Sequence, residues 1–296
     1  MQTKQTDLSR RGLLALAGLA AGVGTAVHGG AIAATTPVAK LFYTEAGNGA
    51  NVMFLHGAAC DSHDWSWQLP VFESRYRVVA VDLRGHGRSE VMPPGSYQPD
   101  DYLADIEALI LANYPGQKFI LVGHSLGGQV AARLAAKRPD LVSAVVAIDA
   151  PLGGSDELAP VYQKAVDTLK VVDPAVLAAS MFQRAYDPAT PAAFKRWHAR
   201  RLPAMPKQVL RESLGPLYLG PNQVGLGAAS EAFCKSIKQP FYHLVRAQDK
   251  ATLMSTWFSN PRSKVELWKN AGHWIQQDRP DDFNAAVTAW IDALQT

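Results

Sequence analysis

Residues 119–128 read Phe-Ile-Leu-Val-Gly-His-Ser-Leu-Gly-Gly, an apolar run that meets G-x-S-x-G with no residues to spare. A short apolar run bounded by glycine predicts a buried strand. From Gly127 to Lys137 apolar residues recur at three- and four-residue spacing, which predicts a helix. A strand that passes into a helix without a loop forces the junction residue, Ser125, into a strained turn. Gly123 and Gly127 suit that turn because neighbouring backbone must pass close to it. The turn lifts the Ser125 hydroxyl above the sheet and aims the start of the helix at the same point. The amide of Leu126 and the helix dipole then face any negative charge that develops there. This decapeptide predicts a nucleophile with one oxyanion donor beside it.

The rest of the chain supplies a setting for that turn. From about residue 38 short apolar runs alternate with helical stretches, the signature of an α/β fold with a mostly parallel sheet covered on both faces. The runs Val52–Leu55, Arg77–Val81, Phe119–Val122, Ala144–Ile148, Phe241–Val245 and Lys264–Leu267 read as strands. Asp101–Asn113, Gly127–Lys137 and Asp281–Leu294 read as helices. Between Pro151 and Lys238 no strand is evident, so residues of about 152–238 are expected to form a helical cap over the sheet edge. Asp173-Pro174 and Thr190-Pro191 look like helix starts, and Gly215-Pro216 and Gly220-Pro221 like helix ends.

A serine needs a base, and the base an orienting carboxylate. His273, in the glycine-containing loop after the last strand, is the candidate base. Two strand ends offer the acid. Asp249 follows Phe241–Val245 and is favoured, since its spacing from His273 leaves room for one helix and one strand; Asp149, directly after Ala144–Ile148, is the alternative. In His56-Gly57-Ala58 a backbone turn can expose the amide of Ala58 as a second oxyanion donor. His56 and the turn Asp82-Leu83-Arg84-Gly85-His86-Gly87-Arg88-Ser89 read as scaffold. Trp65, Trp67, Phe182, Trp197, Trp257 and Trp274 are aromatic candidates for a pocket wall.

The N-terminus reads as a targeting segment. Ser9-Arg10-Arg11-Gly12-Leu13-Leu14 is a twin-arginine pattern, and an apolar run follows to Val27. Ala31-Ile32-Ala33 supplies a small-residue cleavage site. The run is about 15 residues, short of the roughly 20 that cross a bilayer. Residues 1–33 are therefore read as an export leader, with the mature chain at 34–296 in the periplasm or secreted. The net charge of +3 comes without a Lys/Arg stripe, so nucleic acid is not expected as a partner. Lys195, Arg196, Arg200 and Arg201 read as a solvated helix face. Cys60 and Cys234 are too few for a disulfide framework and read as unpaired thiols, with one bridge between them in an oxidising compartment as the alternative. No metal-binding spacing is present, and no cofactor is called for.

Taken together, His56-Gly57, Asp82–Ser89, Gly123–Gly127, Asp249 and Gly272-His273 resemble the α/β-hydrolase superfamily, in its capped, esterase-like branch. The resemblance covers the chain from about residue 38 to 294 except the cap. It implies a cofactor-free serine hydrolase with a Ser-His-Asp triad acting on a small-molecule ester or lactone. The superfamily also holds perhydrolases and C–C bond hydrolases, which would use the same triad, and an inactive binding protein on the same scaffold is the alternative outside catalysis.

Overall fold

The computed structural model describes residues 37–295, so the segment read as a leader lies outside the described residues. Seven strands form one sheet: β1 (Tyr43–Ala46), β2 (Asn51–Leu55), β3 (Arg77–Val81), β4 (Phe119–His124), β5 (Val142–Ile148), β6 (Phe241–Val245) and β7 (Lys264–Leu267). Their order is β1-β3-β2-β4-β5-β6-β7, with β1 antiparallel to β3 and every other pair parallel. The central strands are apolar at nearly every position, as strands covered on both faces must be. Their two faces feed two cores. Met53, Leu55, Leu121 and Val145 join one, and Val52, Phe54, Val122 and Val146 join the other. The edge strand β1, Tyr-Thr-Glu-Ala, carries no such apolar run and gave no signal in the sequence.

Helix α1 (Leu69–Phe72) precedes β3, and α2 (Pro99–Asn113) and α3 (Leu126–Lys137) cover the first core. Beyond β6 come α10 (Gln248–Met254), α11 (Ile275–Asp278) and α12 (Pro280–Gln295); α12 covers the second core through Phe283, Val287 and Ile291. Between β5 and β6 the described residues hold helices and turns and no strand of the sheet. These helices are α4 (Ala159–Val171), α5 (Pro174–Ala185), α6 (Ala192–Arg201), α7 (Lys207–Glu212), α8 (Gly215–Tyr218) and α9 (Gly227–Ser236). The two ends of this insertion meet. Gly154 donates its amide to the Gly225 carbonyl at 2.9 Å and accepts from the Gly227 amide at 2.8 Å.

Within the insertion, some local signals read correctly and some did not. Asp173 caps α5, its carboxylate accepting from the Ala175 amide at 2.9 Å with Pro174 in the first turn. Thr190 caps nothing; its Oγ1 donates to Asp278 Oδ1 at 2.8 Å, far away in sequence. Gly215-Pro216 opens α8 instead of ending a helix. Arg201 leaves the solvated face expected for it: Nη2 donates to the buried Asp64 Oδ1 at 2.6 Å, and Nη1 lies 3.1 Å from Asp61. Arg196 and Arg200 remain exposed. Cys60 and Cys234 are both buried and unpaired. Among the described residues no helix is long and apolar enough to cross a membrane.

Candidate active site

Ser125 sits between β4 and α3 at φ 51° and ψ −118°, a backbone conformation that L-residues rarely adopt. Close packing of backbone on backbone enforces it. A Cβ on Gly123 would stand 2.3 Å from the Gly127 carbonyl oxygen, and one on Gly127 would stand 2.3 Å from that of Leu55. The Ser125 amide donates to the Ile148 carbonyl at 2.9 Å, which ties the turn to the end of β5. Leu126 is the first residue of α3, so its N–H has no partner within the helix. Neither this amide nor that of Ala58 donates to a protein acceptor among the described residues.

The loop that carries Ala58 is held by two histidines. His56 Nδ1 donates to the Gly57 carbonyl at 2.8 Å, and its Nε2 accepts from the Leu83 amide at 2.9 Å. His86 Nδ1 donates to the Arg84 carbonyl at 2.8 Å, and its Nε2 accepts from the Ala59 amide at 3.2 Å. Each ring thus uses one nitrogen as donor and one as acceptor, the neutral form. Burial favours that form, lowering the pKa of His56 and pushing that of His86 down to about 3. Asp82 completes the brace by accepting from the amides of Ser62 and Arg88 at 2.8 and 2.9 Å.

His273 lies in the loop after β7, and the carboxylate on it belongs to Asp149. His273 Nδ1 is 2.6 Å from Asp149 Oδ2. Asp249, favoured by the sequence, is not its partner. It lies exposed in the first turn of α10, where a carboxylate complements the helix dipole. Asp149 instead leaves β5 through a turn of its own, at φ 41°, with its amide donating to the Leu244 carbonyl at 2.8 Å. Burial alone would push its carboxyl up. The hydrogen bond and charge of His273, with Lys250 and Arg246 nearby, hold it well below the usual carboxylate range.

His124 is a site residue that sequence reasoning passed over. Its Nε2 donates to the carbonyl of His273 at 2.9 Å, joining the end of β4 to the loop of His273. Nδ1 is buried without a partner among the described residues. The position inside G-x-S-x-G was the available signal. On its other side the loop reaches the insertion, because the His273 amide donates to the Ala185 carbonyl at 2.7 Å.

Ser125, His273, His124, Ala58 and Arg246 line one cavity of about 260 Å³, whose remaining wall comes largely from α4, α5, α7 and α8. Of the aromatic candidates, Phe182 and Trp274 face it. Trp65 and Trp257 are buried core, and Trp67 packs on Trp197 at 5.6 Å. Tyr162 and Tyr218, stacked at 3.6 Å with rings 7° apart, line the cavity without any sequence signal.

With this arrangement in hand, the relatives are informative. The profile described as Alpha/beta hydrolase family matches residues 52–286. The chain belongs to that family. It is 29% identical to 2-(acetamidomethylene)succinate hydrolase from Mesorhizobium japonicum, over 84% of this chain and 90% of that one. A non-heme haloperoxidase from Rhodococcus erythropolis is 41% identical, over 33% of this chain and 35% of its own. Among solved structures, a thermophilic esterase from Thermogutta terrifontis superposes with a TM-score of 0.73 at 24% identity, covering 87% of this chain and 95% of that one. Family membership makes this chain a hydrolase with a small-molecule substrate.

Proposed function

We propose that the chain is a serine hydrolase that cleaves a carboxylic ester or lactone through an acyl-enzyme. Ser125 is the nucleophile, His273 the base and Asp149 the acid. The observation that carries this reading is the 2.6 Å contact of Asp149 with His273 Nδ1, beside the cavity that His273 and Ser125 both line. An ionised carboxylate on Nδ1 fixes the proton there and leaves Nε2 as the basic nitrogen. Nε2 takes the Ser125 proton as the oxygen attacks the carbonyl, and Asp149 stabilises the imidazolium that results. The free amides of Ala58 and Leu126 receive the oxyanion, each worth a few kcal/mol of barrier. The imidazolium returns its proton to the departing alkoxide. Water then repeats the sequence on the acyl group.

A fluorophosphonate label together with a panel of p-nitrophenyl esters and lactones tests this. Wild type should be labelled and active, while Ser125→Ala should be unlabelled, folded and at least about a thousandfold slower. Retention of most activity in Ser125→Ala would remove the assignment. We also propose that the twin-arginine pattern at Arg10 and Arg11 directs export. In a bacterial host the double lysine variant should leave the precursor in the cytoplasm, and mature protein in its periplasm would contradict this.

A further inference from the structure

The cavity over Ser125 is mostly apolar, and one permanent charge faces it. Arg246, directly after β6, is the only lysine, arginine, aspartate or glutamate that lines it among the described residues. Its side chain is 36% exposed, so the guanidinium is accessible and is not sealed into the ion pair. Nε donates to Asp149 Oδ2 at 2.7 Å, the same oxygen that His273 contacts. Neither Nη nitrogen donates to any acceptor among the described residues. A guanidinium has five N–H donors in a rigid fork, so four remain unused here.

The local charge balance points the same way. Asp149 answers two basic side chains, Arg246 at its oxygen and Lys250, whose Nζ donates to the Ala150 carbonyl at 3.0 Å. Asp249 is the other carboxylate on this segment, and it is exposed in α10, where water and salt screen it. Positive charge is therefore left over at the cavity edge, against apolar walls that strengthen its pull on an anion.

We propose that Arg246 is a substrate-recognition residue and that the substrate carries a free carboxylate, which docks on the Nη edge while the scissile carbonyl lies at Ser125. This rests on the serine-hydrolase reading. A planar carboxylate is the group whose two oxygens match the fork. The modest cavity volume restricts the substrate to a compact acid-bearing ester or lactone.

The mono-p-nitrophenyl ester of adipate and p-nitrophenyl hexanoate differ at the chain end in charge, and they serve as the probe pair. Wild type should favour the adipate ester by about tenfold or more in kcat/KM, the scale of one charge-assisted hydrogen-bond pair. Arg246→Gln should slow both esters, because Arg246 also touches Asp149, but the preference should vanish; Arg246→Lys should restore part of it. Binding of the same two esters to Ser125→Ala, read by isothermal titration calorimetry, separates recognition from turnover. A tenfold preference there that Arg246→Gln abolishes supports the carboxylate site even if wild type hydrolyses neither ester; the hydrolase reading falls separately, if wild type takes no fluorophosphonate label and hydrolyses no ester or lactone of the panel. Equal affinity of Ser125→Ala for the two esters, or a preference that survives Arg246→Gln, overturns the proposal.

Discussion

Ser125 and Asp149 both sit at positive φ, and a side chain held there costs of order 1–3 kcal/mol. Each terminates a central strand, and the strain aims each side chain out over the sheet edge. If Asp149 orients the base, Asp149→Asn should lower kcat by several orders of magnitude with an unchanged far-ultraviolet spectrum, while Asp249→Asn stays within about twofold of wild type. An inactive Asp249→Asn with an active Asp149→Asn would reverse the assignment. His124→Leu should lower kcat about tenfold, because it strands the His273 carbonyl that Nε2 holds; an unchanged kcat would make that bond a matter of packing alone. The settings of Ser125 and His273 were legible in the sequence because they are local, a strand-turn-helix junction and a loop after the last strand. The acid was not. Two aspartates follow strand ends, and what separates them is the direction a side chain takes after a positive-φ turn, which no residue pattern near either one records.

At the level of elements, the same distinction between local and distant forces holds. Six of the seven strands and the long flanking helices follow from short-range periodicity, whereas the insertion is organised by contacts across the chain. Thr190 looks like a helix cap until Asp278 takes its hydroxyl, and Arg201 looks like a surface cation until Asp64 is found buried opposite it. Burial would raise the Asp64 carboxyl, but Arg201 and His198 hold its pKa at about 2. Removing the cation leaves that charge buried and uncompensated. Arg201→Met should therefore destabilise the protein by about 3–5 kcal/mol in urea unfolding, and the double variant Arg201→Met with Asp64→Leu should recover most of the loss. A single variant as stable as wild type would show that the pair does not fasten α6 to the segment before α1.

At the scale of the molecule, five histidines among the described residues are buried: His56, His86, His124, His198 and His243. Burial lowers the pKa of each below 6.5, to about 3 for His86 and His243 and to about 4 for His198. In the unfolded chain each takes up a proton as pH falls through about 6.5, while the folded protein does not. Below that pH the unfolded state binds more protons, so stability falls on acidification from about pH 6.5 towards pH 4, by up to about 1.4 kcal/mol per histidine per pH unit. Buried Asp105 and half-buried Asp278, whose pKa values burial raises, work in the opposite direction only near the carboxylate range. The urea midpoint should accordingly be clearly lower at pH 5 than at pH 7.5, and an equal or higher midpoint at pH 5 would refute this. The closed base of the insertion, where Gly154 meets Gly225 and Gly227, has a consequence for descent and for engineering. A segment whose ends already touch can be exchanged for a longer or shorter one at little entropic cost, since each doubling of a loop adds only about 0.6 kcal/mol to its closure. Neither β5 nor β6 would have to shift. New substrate choice can thus be acquired as a cassette, on the condition that the incoming segment brings an acceptor to replace the Ala185 carbonyl beneath the histidine.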